Sequence, residues 1–148
     1  MALGQRRKAR IAALQALYEA DSSQHGALEA LKHIVAEQHV AAAAAEFAKG
    51  LIQGVLEQQD ELDQVIANAA PQWPVEQMAA VDRNILRLAI QELLGDNGAP
   101  VKAVINEAVE LAKSFGSDNS AKFVNGVLGT IERRRDELLN ERTAARRR

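Results

Sequence analysis

Three observations in the sequence predict an all-α fold. Apolar residues recur at spacings of three and four along nearly the whole chain, the period of a helix with one buried face. No stretch alternates apolar and polar residues as a half-buried strand does. The helix-stopping residues, Asp21-Ser22-Ser23, Pro71 with Pro74, Gly95-Asp96-Asn97-Gly98 and Gly116, fall between the periodic segments.

Each element follows in order. Ile11, Leu14 and Tyr18 set a first helix over about 6–20, which Asp21-Ser22-Ser23 ends while capping a second over about 24–37. Ala41–Ala45 opens a longer helix through Phe47, Leu51, Ile52, Val55 and Leu56. Leu62, Val65 and Ile66 continue it past a break expected near Asp60. Pro71 and Pro74 flank Trp73 and form the clearest hinge, dividing a half of about 1–70 from one of about 75–140. Beyond it, Val81, Ile85, Leu86, Leu88, Ala89, Ile90, Leu93 and Leu94 are apolar around most of a helix, so that helix should be central. Pro100 suits the first turn of the next, whose face is Val101, Val104, Ile105, Ala108, Leu111, Ala112 and Phe115, with Gly116 as its C-terminal cap. Phe123, Val124, Val127, Leu128 and Ile131 start a last helix that extends into the charged tail. Within it, Gly126 and Gly129 are expected to admit a neighbouring helix, and residues 140–148 to form a flexible basic tail.

Length bounds the architecture. The chain has 148 residues, 47% of them hydrophobic, and 28 of those are alanine. The remaining larger apolar side chains suffice for one core, hence one domain over 1–148. Cysteine is absent, which excludes disulfide scaffolds, thiolate metal sites and cysteine nucleophiles, and fits a reducing compartment. No segment has the roughly 20 apolar residues needed to span a bilayer. The basic start is followed by Gln15 and Glu19, not by the apolar core of a signal peptide, so the chain reads as cytoplasmic with no membrane partner.

The net charge of −2 conceals an asymmetry. Residues 1–10 and 133–148 each carry +4, and the body between them carries −10. Basic ends on an acidic body suit nucleic-acid contact at the ends, and on charge alone they suit solvated tails equally. No catalytic or metal constellation emerges. His25, His33 and His39 are spaced by 8 and 6, unlike a zinc-binding helical pair, and read as surface residues on the second helix. Glu107 and Glu110, with Lys113 beyond, read as a solvated face. Nothing requires catalysis or a cofactor.

The concentrated signal is the stretch 113–126, where Lys113 and Phe115, then Lys122 and Phe123, surround a polar helix–helix turn. Single-stranded RNA is held by cations on its phosphates and aromatic faces under its bases, and amides at a helix start receive phosphate. Composition alone favours both phenylalanines as core residues at helix ends.

Three blocks carry a resemblance. They are Arg6-Arg7-Lys8-Ala9-Arg10 with Gln15-Ala16-Leu17-Tyr18, then Val81-Asp82-Arg83-Asn84-Ile85-Leu86-Arg87-Leu88-Ala89. The third runs from Val104-Ile105-Asn106-Glu107-Ala108 through Lys113-Ser114-Phe115-Gly116 to Lys122-Phe123-Val124-Asn125-Gly126-Val127-Leu128. In that order, over about 5–132, the chain closely resembles the NusB transcription antitermination family; residues 21–70 match only in helical pattern. The resemblance implies about seven helices in two small bundles packed as one domain, and an RNA-binding factor without enzyme activity. It implies binding to boxA elements of ribosomal RNA leaders as a heterodimer with the ribosomal protein NusE, within an RNA polymerase antitermination complex. A homodimer of the free protein stays open. By position, the family's RNA arm falls on Arg6, Arg7, Lys8 and Arg10, with Gln15 following. Its second RNA surface falls on Lys113, Phe115, Lys122, Phe123 and Arg87. Asn119 stands where the family often has an acid, which should ease the approach of phosphate. Tyr18 and Asp82 correspond to positions near the ribosomal-protein contact.

Two other classes compete. One is a helical protein-interaction module whose basic ends do nothing specific. The other is a relative of the RNA-binding domain of ribosomal RNA methyltransferases, which requires a downstream Rossmann-like domain that the 148 residues do not include. Lys8 lies roughly 200° around the helix from Arg10, so the four basic residues cannot share one face.

Overall fold

A computed structural model describes residues 3–95 and 97–147. Among them are seven α-helices and no strand: α1 (Leu3–Ser22), α2 (Ala27–Glu37), α3 (Ala42–Ala69), α4 (Ala80–Leu94), α5 (Val101–Phe115), α6 (Ser120–Arg133) and α7 (Arg135–Arg147). A single 3-10 turn, Val75–Gln77, follows the Pro71–Pro74 hinge. No described helix is long and apolar enough to cross a membrane.

Helix α4 is the axis, in contact with α1, α3, α5, α6 and α7. Its Ile85, Leu86, Ile90 and Leu93 are almost wholly buried, as expected of a helix apolar around most of its circumference. Helix α1 presents Ala9, Ala12, Ala13 and Ala16 at 0% exposure, so alanine is a packing residue here. Short side chains let α2, α3 and α4 approach α1 closely, and a methylene added to such a face forces its neighbours apart. The break expected near Asp60 is a kink at Gln58, where φ −120° and ψ 18° leave the helical region inside α3.

Several local expectations are corrected. Asp21-Ser22-Ser23 does not cap α2, which starts after Gly26 without a side-chain cap. Those residues have other partners: Ser22 Oγ donates back to Tyr18 O and Glu19 O, and the Asp21 carboxylate accepts from Asn84 at 2.8 Å. Of the histidines only His33 lies on α2, although all three are exposed. Pro100 precedes α5 instead of occupying its first turn, and its carbonyl accepts from Val104 N at 3.1 Å. Gly116 does follow α5, but without the left-handed backbone of a glycine cap (φ −93°). Close approach explains it: a Cβ there would run into the Ser120 hydroxyl. Gly126 and Gly129 admit no neighbouring helix; a Cβ on Gly126 would meet nothing within 4 Å. In the loop after α4, Gly98 has φ +74°, and Asp96 lies outside the described residues.

The tail is the largest departure. Residues 140–147 are helical within α7, while Arg148 lies outside the described residues. Leu138 and Arg142 are buried. Arg135 Nε donates to Leu93 O at 2.8 Å, and Arg142 Nη1 donates to Leu94 O at 2.7 Å. The last carbonyls of α4 have no intrahelical partners, and two arginines of α7 satisfy them. Arg142 also pairs with Glu61 of α3 at 3.1 Å.

Candidate nucleic-acid interface

The basic arm occupies the first turns of α1, and its four cations have different fates. Arg10 is buried and donates through Nε and Nη2 to both oxygens of Glu92 on α4, at 2.8 and 2.7 Å. Arg7 forms the same fork on Glu107 of α5, at 3.0 and 2.8 Å. Arg6 lies 5.1 Å over the Phe47 ring and reaches Asn97 O at 3.5 Å. Lys8 is exposed and has no ion pair among the described residues. The expected arm of four free cations is therefore corrected: Arg10 braces α1 against α4, and Lys8 and Arg6 carry the open charge. Gln15 is half-buried and accepts from Gln38, which follows the end of α2.

Glu107 overturns the solvated-face expectation. It is buried, and only Glu110 is an exposed partner for Lys113, at 3.3 Å. The hydrogen bonds from Arg7 hold the Glu107 carboxyl below the usual carboxylate range, against the opposing effect of burial. The same bonds raise the Arg7 guanidinium above its ordinary value.

The second patch forms where α5 turns into α6. Lys113, Asn119 and Lys122 are exposed. Phe115 is 39% exposed, more than its place at the end of an apolar face suggests. Phe123 is half-buried against the core. Ser120, by contrast, is buried, and its Oγ accepts from Ser117 N at 2.9 Å, tightening the turn. Asn119 makes no capping bond, which leaves its side chain unspent at the start of α6.

Arg87 does not join this patch. It is buried on α4 and donates from Nε and Nη2 to the two oxygens of Asp63, both at 2.8 Å. A guanidinium so engaged is a brace between α3 and α4, unavailable to phosphate. Asp82 and Tyr18 also separate in character. Tyr18 is 47% exposed on α1, while Asp82 lines a cavity shared with Asn119 and Phe123.

Sequence reading missed Trp73. This residue is 60% exposed and meets Phe123 edge to face, ring centroids 6.2 Å apart. The available signal was the chain's one tryptophan held between two prolines, a costly residue to leave in a hinge unless its surface is used. Trp73, Asn119, Lys122 and Phe123 line one cavity, and Lys113 and Phe115 end the preceding helix; cations beside aromatic faces are the chemistry that holds single strands.

Known proteins resemble this chain in sequence and fold over most of its length. A protein from Chloroflexus aggregans, the transcription antitermination protein NusB, is 52% identical over 129 residues, covering 86% of each chain. The solved structure of T. maritima NusB superposes with a TM-score of 0.79 at 35% identity, covering 85% of this chain and 89% of that one. A structure of antitermination factors NusB and NusE in complex with dsRNA matches with a TM-score of 0.79 at 30% identity, covering 88% of this chain and 97% of that one. The family model described as the NusB family matches residues 7–133, from the first turns of α1 to the end of α6 and including the hinge between them; the chain belongs to the NusB family.

Proposed function

We propose that this chain is an RNA-binding transcription antitermination factor that works by adhesion, without enzymatic chemistry. Its ligand is a boxA-type segment of a ribosomal RNA leader, its protein partner is NusE, and the pair joins RNA polymerase to prevent premature termination. Such a role belongs in the cytoplasm. The observation that carries the reading is the α5–α6 surface, where three exposed polar or cationic residues accompany one exposed and one half-buried phenylalanine on an otherwise acidic body. Relatives bearing the antitermination name, and a neighbour solved with NusE and dsRNA, support it. The cations Arg6, Lys8, Lys113 and Lys122 would take phosphates, and Phe115 and Phe123 would take bases. Exposed Tyr18 is the residue of choice for the protein contact, since an amphipathic ring left in solvent is typical of interface anchors.

The test is a titration of labelled boxA RNA and a scrambled control, with and without NusE, at several salt concentrations. Preferential binding of boxA, tightened by NusE and weakened by salt, is expected. Equal affinity for the two RNAs in the presence of NusE would instead favour a protein-interaction module. Light scattering on the same samples reads whether the free chain dimerises.

A further inference from the structure

Arg6 and Arg10 stand four residues apart on α1 and so share one face of the helix. Both guanidinium groups lie over the Phe47 ring of α3, at 5.1 and 5.7 Å from its centroid. The two cations differ in what else holds them. Glu92 neutralises Arg10 inside the protein, whereas Arg6 has no carboxylate partner among the described residues. Its hydrogen bond runs instead from Nη2 to Asn97 O, at 3.5 Å. Asn97 is itself fixed, because its Nδ2 donates to Glu92 Oε1 at 2.8 Å and its Oδ1 accepts from Ala99 N at 3.0 Å. Glu92 therefore ties down both neighbours of Arg6: Arg10 on the same ring, and Asn97 at the edge of its guanidinium.

A guanidinium has five N–H donors, so with one on Asn97 the rest of the fork is open to an anion. An arginine side chain left free in water gives up much rotamer freedom when a ligand fixes it. Held on an aromatic face, it has given up that freedom before the ligand arrives. The negative face of the ring also favours the cation without cancelling its charge. A carboxylate in the same place would cancel it, as Glu92 does for Arg10 and Glu107 for Arg7. Resting on the RNA-binding reading above, we infer that Phe47 is a positioning residue for RNA: it holds the Arg6 guanidinium oriented for a backbone phosphate without touching the RNA itself.

The test compares the full chain with Phe47→Leu, which keeps apolar bulk and loses the ring, and with Phe47→Tyr, which keeps both. Labelled boxA RNA is titrated by anisotropy at several salt concentrations, with circular dichroism as the check on folding. Phe47→Leu should weaken binding about 2- to 5-fold, the range of one cation–π contact near the surface. Its salt slope should match that of the unmodified chain, because the charge of Arg6 remains and only its placement is lost. Phe47→Tyr should bind as the unmodified chain does. Arg6→Ala should weaken binding and flatten the slope by roughly 0.7, and adding Phe47→Leu to it should change affinity no further.

A Phe47→Leu loss of the same size with and without Arg6 would make Phe47 a packing residue and overturn the inference. So would unaltered affinity in Phe47→Leu, or in Arg6→Ala, while the unmodified chain binds RNA. Should Phe47→Leu not fold, nuclear magnetic resonance of the unmodified chain decides. The Arg6 Nε–H signal should lie upfield of free arginine through the ring current of Phe47, and should move when boxA RNA is added. A signal at the free-arginine position, or one unmoved by bound RNA, would overturn the inference alone. No anisotropy change when the unmodified chain meets boxA RNA would overturn the RNA reading and the inference with it.

Discussion

Arg10 of α1 and Glu92 of α4 form a two-pronged ion pair at 2.7 and 2.8 Å, with side chains only 6% and 2% exposed. Removing one partner of such a pair strands the other charge in a medium that solvates it poorly. Arg10→Ala should therefore cost about 3–5 kcal/mol of stability, measured by urea unfolding. Replacing both residues by leucine should recover most of that loss. A stable Arg10→Ala variant with weakened RNA binding would return Arg10 to the arm.

Glu107 makes stability depend on pH in a defined direction. Its folded pKa is depressed by Arg7, so its contribution is present above the ordinary value of 4.5 and is lost as pH falls through the lower folded value. The Tm of the unmodified chain should exceed that of Glu107→Gln at neutral pH. The gap should close as pH drops below about 4.5. A gap that stays constant down to the acid transition would show that the pair adds nothing.

The salt dependence of RNA binding should follow the open cations and spare the braced ones. Each single-strand phosphate neutralised contributes roughly −0.7 to the log–log slope. Lys8→Ala and Lys122→Ala should each flatten it by about that amount. Arg87→Gln should leave the slope unchanged, since Asp63 holds that guanidinium. The measurement is a titration at four salt concentrations; a flatter slope for Arg87→Gln would return it to the interface.

The two loop phenylalanines should separate binding from stability. Phe115, 39% exposed, has less packing to lose, so Phe115→Ala should cost less than the roughly 3–5 kcal/mol of a core truncation. It should still lose RNA affinity by about 1–3 kcal/mol. Phe123 touches both the core and Trp73, so Phe123→Ala should lose both. Thermal melts beside RNA titrations decide it, and a Phe115→Ala chain with unaltered affinity would remove that ring from the interface.

Helix α7 should stabilise α4 through two backbone contacts. Arg142→Ala deprives Leu94 O of its donor and leaves Glu61 unpaired. A loss of about 1–3 kcal/mol in chemical unfolding is expected. An unfolding midpoint unchanged by Arg142→Ala would make α7 an appendage.

Features governed by local rules were legible in the string of residues. Helical period named the central helix, from Ile85 to Leu94, because a helix apolar around most of its circumference has nowhere to go but inside. It also bounded α5 through Val104, Ala108, Leu111 and Gly116, and put the basic-aromatic cluster in the turn that follows. Which charges stay free depends on the packing of helices distant in the chain. Arg6, Arg7, Lys8 and Arg10 look alike in a string, yet Glu92 and Glu107 lie 82 and 100 residues away from their partners and claim two of them. Arg87 met the same fate through Asp63, and Trp73 reached Phe123 only once the hinge had folded back on α6. An ion pair or a ring contact is set by distance in space, which helical period does not encode; periodicity says that a side chain faces inward or outward, and the fold alone says what it meets there.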